Sequence, residues 1–128
     1  MTIYVKKGVF ILDLTFKDRE NIIRQYGNDY KKSKIIEMKG VSLLKENCIS
    51  EKEETYIESL YKYQYYYNLQ NRIDKILEQL DFESANFIKN EFLSTSYKSN
   101  WWMNYFSRST YYRMKNKAMN QFLVFLYD

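Results

Sequence analysis

A chain of 128 residues with 45% hydrophobic content has material for one compact domain, or a small domain with a helical extension, and excludes two full-sized ones. Cys48 is the only cysteine and histidine is absent, which excludes an internal disulfide and removes the usual zinc ligands, so no metal or other cofactor is expected. The formal net charge of +4 favours anionic partners to a degree that depends on where the cations lie.

A lone cysteine suits a reducing cytoplasm. The apolar run Val9-Phe10-Ile11-Leu12 before Asp13 is shorter than the roughly 7 to 15 residues of a signal-peptide core. Nothing approaches the roughly 18 apolar residues of a membrane span. A cytoplasmic protein with no membrane partner is expected.

In chain order, Ile3-Tyr4-Val5 and Val9-Phe10-Ile11-Leu12 are β-prone runs separated by Lys6-Lys7-Gly8. They predict a short N-terminal β-hairpin, with a disordered or helical start as the alternative. From Lys17, the residues Ile22, Ile23, Tyr26, Tyr30, Ile35 and Ile36 recur at helical spacing. Gly27-Asn28 is expected to kink or divide this helix and Gly40 to stop it. Residues 41–49 read as a connector with an apolar patch at Val41, Leu43 and Leu44.

Ser50-Glu51-Lys52-Glu53 has the form of a capping box, in which the serine accepts from an early amide and Glu53 reaches back to the cap. A long central helix should follow, carrying Ile57, Leu60 and Tyr61, then Leu69, Ile73, Ile76, Leu77 and Leu80 on a buried face. Glu51, Glu53, Glu54 and Glu58 are read as helix-start charge rather than a metal cluster. Tyr61, Tyr63, Tyr65, Tyr66 and Tyr67 surround this helix, since consecutive residues project about 100° apart, so they cannot all be core. They are amphipathic tyrosines with solvated tips, a partner surface, or a stacking platform for single-stranded nucleic acid.

Asp81 is a good N-cap for a helix through Ala85, Phe87, Ile88, Phe92 and Leu93, followed by the polar connector Ser94-Thr95-Ser96. Residues 98–104 predict a brief helix bearing Trp101, Trp102 and Met103. Ser107 then caps a final helix from Arg108, with Phe106 placed to staple onto Tyr111. In that helix Tyr111, Met114, Ala118, Phe122 and Phe125 form the expected inward stripe. Arg108, Ser109, Tyr112, Arg113, Asn116 and Asn120 form the opposite face, flanked by Lys115 and Lys117.

The charge is concentrated in the same region. Through Glu91, 15 basic and 15 acidic residues cancel, whereas beyond it Lys98, Arg108, Arg113, Lys115 and Lys117 face Asp128 alone. Two short helices joined by a tight turn, ending in a basic and polar helix, match the pattern of a recognition helix. Arg can pair with guanine and Asn with adenine in the major groove, while lysines and hydroxyls serve phosphate. An ordinary amphipathic helix with a solvated cationic face has the same periodicity.

The segment Ser107-Arg108-Ser109-Thr110-Tyr111-Tyr112-Arg113-Met114-Lys115-Asn116-Lys117-Ala118, preceded by Leu80-Asp81-Phe82-Glu83, resembles region four of bacterial sigma factors and the related ArpU-type phage transcriptional regulators. The resemblance covers 80–126. It implies a tetrahelical helix-turn-helix with Arg108, Ser109, Tyr112 and Arg113 toward the bases and Phe106, Tyr111, Met114, Ala118 and Phe122 in its core. Trp101-Trp102-Met103-Asn104-Tyr105 departs from the family's small residues and glycine, and 1–79 shows no sigma region two. A complete promoter-melting sigma factor is therefore not expected.

The expectation is an all-α chain with a helical N-terminal part of unassigned role, 1–79, and a helix-turn-helix DNA-binding domain, 80–128. The expected function is transcription regulation by binding double-stranded DNA through Lys98, Ser107, Arg108, Ser109, Thr110, Tyr112, Arg113, Lys115, Asn116 and Lys117. A homodimer would suit paired half-sites. The alternative is an interaction module for RNA polymerase or another regulator, with DNA contact secondary. An enzyme is not expected, because there is no histidine and no phosphate-binding glycine loop.

Overall fold

A computed structural model of the chain describes residues 13–49, 53–95 and 99–127. The described residues form helices and turns, with no strand among them; the expected hairpin over 3–12 and the serine of the expected capping box at Ser50 lie outside them. Four helices follow in order: α1 (Phe16–Ile49), α2 (Glu53–Gln79), α3 (Phe82–Ile88), which widens into a π-helical turn (Lys89–Leu93), and α4 (Arg108–Leu126).

Helix α1 starts at a reciprocal cap: the Asp18 amide donates to Thr15 Oγ1 at 3.0 Å, and the Thr15 amide to Asp18 Oδ2 at 3.4 Å. It then runs unbroken for 34 residues. The expected division at Gly27-Asn28, stop at Gly40 and connector over 41–49 are therefore corrected to continuous helix. A glycine in a helix costs about 1 kcal/mol relative to alanine, too little to end one whose neighbours are helix-competent and contain no proline. At Gly27 the missing side chain is what the packing requires. A Cβ there would run into the Phe92 carbonyl oxygen, with the Phe92 carbonyl carbon and Cβ at 3.2 and 3.3 Å.

Helices α1 and α2 pack antiparallel. Tyr30 Oη donates to Asp74 Oδ1 at 2.8 Å, Ser33 Oγ to Gln70 Oε1 at 3.1 Å, and Gln70 Nε2 to Glu37 Oε2 at 3.2 Å, so positions rise along one helix as they fall along the other. Burial and the Asp74 carboxylate both push the Tyr30 phenol well above its ordinary pKa, keeping it a neutral donor.

The core lies at one end of this pair. The predicted set Leu69, Ile73, Ile76, Leu77 and Leu80 is buried against Phe87, Ile88, Phe92 and Leu93 of α3 and its π turn, and against Ala118, Met119, Phe122, Leu123 and Leu126 of α4. Among the residues of α1 whose burial is described, Ile23 joins the fully buried apolar cluster. One core thus draws on both sides of the expected boundary at 79/80. Toward the other end Ile35, Met38, Leu60 and Tyr61 are exposed.

Both predicted N-caps form. Asp81 Oδ1 accepts from the Ser84 amide at 2.8 Å, and Ser107 Oγ from the Thr110 amide at 3.3 Å. At the other end of α4, the Arg72 guanidinium donates to the Leu126 carbonyl, placing a cation at the negative end of the helix dipole. No helix among the described residues is long and apolar enough to cross a membrane.

Candidate nucleic-acid interface

The structure turns α4 relative to its expected phase. Its buried residues are Tyr111, Lys115, Ala118, Met119, Phe122, Leu123 and Leu126, while Met114 and Phe125 are only half-buried. At 100° per residue, this moves the centre of the inward face by about 60° toward Lys115 and Met119. The reason is tertiary: α1 and the π turn pack on the side of α4 that periodicity assigned to the edge of the polar face.

Lys115 shows the consequence. Its side chain is only 6% exposed and its ammonium is ion-paired with the Glu20 carboxylate of α1. The nitrogen also lies 5.6, 5.9 and 5.5 Å from the ring centres of Phe16, Phe92 and Tyr111, and 3.5 Å from Tyr111 Oη. Tyr111 Oη donates to the buried carboxylate of Glu91. Burial pushes the Glu20 carboxyl up, but its hydrogen bonds to Lys115 and Lys17 and their charges outweigh that and hold it below its ordinary value. Lys115, expected on the phosphate-facing side, therefore closes an internal ionic chain. Its position four residues after Tyr111 and three before Ala118 places it at the edge of the apolar stripe by helical arithmetic, and the packing of α1 decides that it turns inward.

The connection into α4 also differs from expectation. Over 99–105 the chain makes turns rather than a brief helix: the Met103 amide donates to the Asn100 carbonyl at 3.1 Å, and those of Tyr105 and Phe106 both donate to the Trp102 carbonyl at 2.9 Å. Trp102 stacks on Tyr111, with ring centres 4.4 Å apart and planes at 22°, while Trp101 meets Phe87 edge-on at 5.3 Å and Tyr111 at 6.5 Å. Two consecutive helical residues project about 100° apart, whereas these two rings converge on one tyrosine. Phe106, expected to staple onto Tyr111, meets Trp101 edge-on at 6.2 Å.

The remaining candidates fall into two groups. Arg108, Ser109, Arg113, Asn116 and Lys117 are exposed on the first turns of α4, with Thr110 half-buried and Tyr112 45% exposed. The hydroxyls of Ser107, Ser109 and Thr110 cluster at the cap, Ser107 Oγ lying 2.9 Å from Thr110 Oγ1 and 3.3 Å from Ser109 Oγ. Lys117 pairs with Asp81 Oδ2 at 3.4 Å. Among the described residues no carboxylate comes within ion-pair distance of Arg108 or Arg113. Lys98 lies outside the described residues.

The second group meets the first turn of α1. The Phe16 ring lies edge-on to Tyr112, 6.3 Å between centres. Arg19 Nη1 donates to Asn116 Oδ1 at 2.9 Å and also to Asn120 Oδ1. Arg19 and Glu20 were not among the expected site residues. No local pattern marks them, because their partners on α4 lie about a hundred positions away.

The tyrosines of α2 are divided by the packing. Tyr61, Tyr65 and Tyr67 are exposed while Tyr63 and Tyr66 are half-buried; Tyr63 and Tyr67 stack with centres 6.5 Å apart. Among the described residues no group of three or more potential ligands could hold a metal ion. Comparisons of the chain with protein-family models, with curated proteins and with solved structures find no match.

Proposed function

We propose that this chain binds double-stranded DNA through the N-terminal half of α4 and acts in transcription regulation. The observation that carries the reading is the pair Arg108 and Arg113: both are exposed, neither is neutralised by a carboxylate among the described residues, and Ser109, Tyr112 and Asn116 lie beside them. A helix fits the B-DNA major groove, and unpaired guanidinium groups are suited to phosphate and to the O6/N7 edge of guanine. The hydroxyls at the cap of α4 lie at the positive end of its dipole, where a phosphate is favoured. The resemblance of 107–118 to sigma region four and ArpU-type helices supports the same use. With Lys115 internal, the phosphate-facing set is Arg108, Arg113 and Lys117 together with Ser107, Ser109 and Thr110.

Fluorescence anisotropy with labelled duplexes, titrated in salt, tests the reading. Binding should weaken steeply as salt rises, and more shallowly for the Arg108→Ala/Arg113→Ala double variant, which removes two phosphate or base contacts. Salt-insensitive binding, or equal affinity of the double variant, rules it out.

A second reading, an interaction module for RNA polymerase or another regulator, is favoured by a different observation. Phe82, Met103 and Tyr105 are 85%, 60% and 75% exposed, and Phe82 borders a groove with Phe87, Trp101, Phe106 and Met114. Isolated exposed apolar residues are ordinary, but one as exposed as Phe82 at the rim of an aromatic-lined groove suits a partner surface. Retention of polymerase on the immobilised protein, lost in Phe82→Ser, would support this reading; no retention counts against it.

A further inference from the structure

Arg19 reaches from the first turn of α1 to the polar flank of α4 and is itself held in place there. Its Nε donates to the Thr15 carbonyl at 3.4 Å, its guanidinium carbon sits 5.8 Å from the centre of the Phe16 ring, and Nη1 donates to the side-chain oxygens of Asn116 and Asn120. Guanidinium has five donors and no acceptor, so only the oxygen of each amide can face it. The orientation of both asparagines follows from the chemistry of the arginine.

We infer that Arg19 is a specificity-positioning residue, which fixes the orientation of the Asn116 amide, occupies its oxygen with a cation and biases this flank toward guanine over adenine. The inference rests on the DNA-binding reading above. Asparagine reads adenine with two groups at once, accepting from N6–H through its oxygen and donating to N7 through its nitrogen. At Asn116 the oxygen already accepts from a cation, and that positive charge beside its second lone pair disfavours the approach of the N6–H donors of adenine. Asn116 is an exposed residue, and its Nδ2 keeps two donors. Arg108 and Arg113 on the same helix are donor-only as well, so the surface matches a base edge made of acceptors. Guanine offers two, N7 and O6, in the major groove.

The experiment uses the full-length chain. Duplexes are selected from a randomised pool by the wild type, and the position read by Asn116 is the one whose preference disappears in Asn116→Ala. Affinities for that site with guanine or adenine at the position are then compared by anisotropy at one fixed salt concentration. The wild type should prefer guanine by about 10-fold, within the range of one good side-chain–base pairing. Arg19→Met, which keeps the stem and removes the donors, should erase or invert that preference, whereas Arg19→Lys, still donor-only, should keep it. Circular dichroism of each variant reports folding. Should Arg19→Met fail to fold, the wild type still decides: the Asn116 side-chain NH2 resonances should shift with the guanine duplex and not with the adenine one.

An adenine preference in the wild type, an unchanged guanine preference in folded Arg19→Met, unmoved Asn116 resonances, or no position that depends on Asn116 overturns this inference alone. Absence of binding to any duplex at low salt overturns the DNA-binding reading and this inference with it.

Discussion

Gly27, in the middle of α1, lies so close to Phe92 in the π turn that no side chain fits between them: a Cβ would enter the Phe92 carbonyl and come within 3.3 Å of its Cβ. The glycine is what lets α1 cross the end of α3, and that crossing brings Phe16, Arg19 and Glu20 onto α4.

Gly27→Ala should therefore destabilise the fold by about 1 to 3 kcal/mol, the cost of overpacking, even though alanine is the better helix former. Asn28→Ala, at the exposed neighbouring position, should be neutral or stabilising by a few tenths of a kcal/mol. Urea midpoints of the two variants against the wild type check this; a shift of the same sign in both would refute the packing argument.

Lys115→Met should cost about 1 to 3 kcal/mol, because it removes the buried partner of the Glu20 carboxylate and leaves that group its more exposed partners Lys17 and Arg24. Adding Glu20→Gln should recover part of that loss, a non-additivity a double-mutant cycle measures directly. If Lys115 instead served phosphate alone, Lys115→Met would weaken DNA binding and leave the urea midpoint unchanged.

The Asp81 carboxyl is held at about 2, against 3.8 unperturbed, chiefly by the Ser84 amide and then by Gln121 and the Lys117 charge. A depressed carboxyl pKa contributes stability that is fully present above about pH 4 and is lost as the pH falls toward 2. Its carboxylate is substantially solvated, so the contribution stays below about 1 kcal/mol. Thermal melts of wild type and Asp81→Asn, which retains a capping oxygen, should differ above pH 4 and converge near pH 2. A difference independent of pH would sink this assignment.

Arg113→Ala should weaken specific duplex binding by about 1 to 3 kcal/mol and relax preference at one base position if that guanidinium reads a base. If it holds phosphate, affinity should fall evenly across sequences and the salt slope should shrink by about one. Anisotropy titrations on selected and scrambled duplexes separate the two outcomes, and no change in either quantity removes Arg113 from the interface.

Features governed by neighbours in the chain were legible before the fold was known. Asp81 and Ser107 cap their helices because an oxygen three residues before an unpaired amide is a local arrangement. Leu69, Ile73, Ile76 and Leu77 are buried because their spacing gives α2 one apolar face, which Leu80 continues just past its end. The glycines misled in α1, since glycine marks either a break or a close approach, and the choice at Gly27 rests on a backbone 65 positions away. The turns at 99–105 were hidden for a similar reason: Trp101 and Trp102 take their conformation from Phe87 and Tyr111.

By itself the sequence determined the helical character of the described residues, the caps of the last two helices, the apolar face of α2 and the gathering of net positive charge in the final 37 residues. These follow from hydrogen bonds and hydrophobic periodicity within a few turns of one helix. Only the tertiary structure decided which cations of α4 remain outside. Burial of Lys115 depends on Glu20 and three aromatic rings, and the amide orientation of Asn116 on Arg19, contacts that exist only once α1 has crossed Phe92.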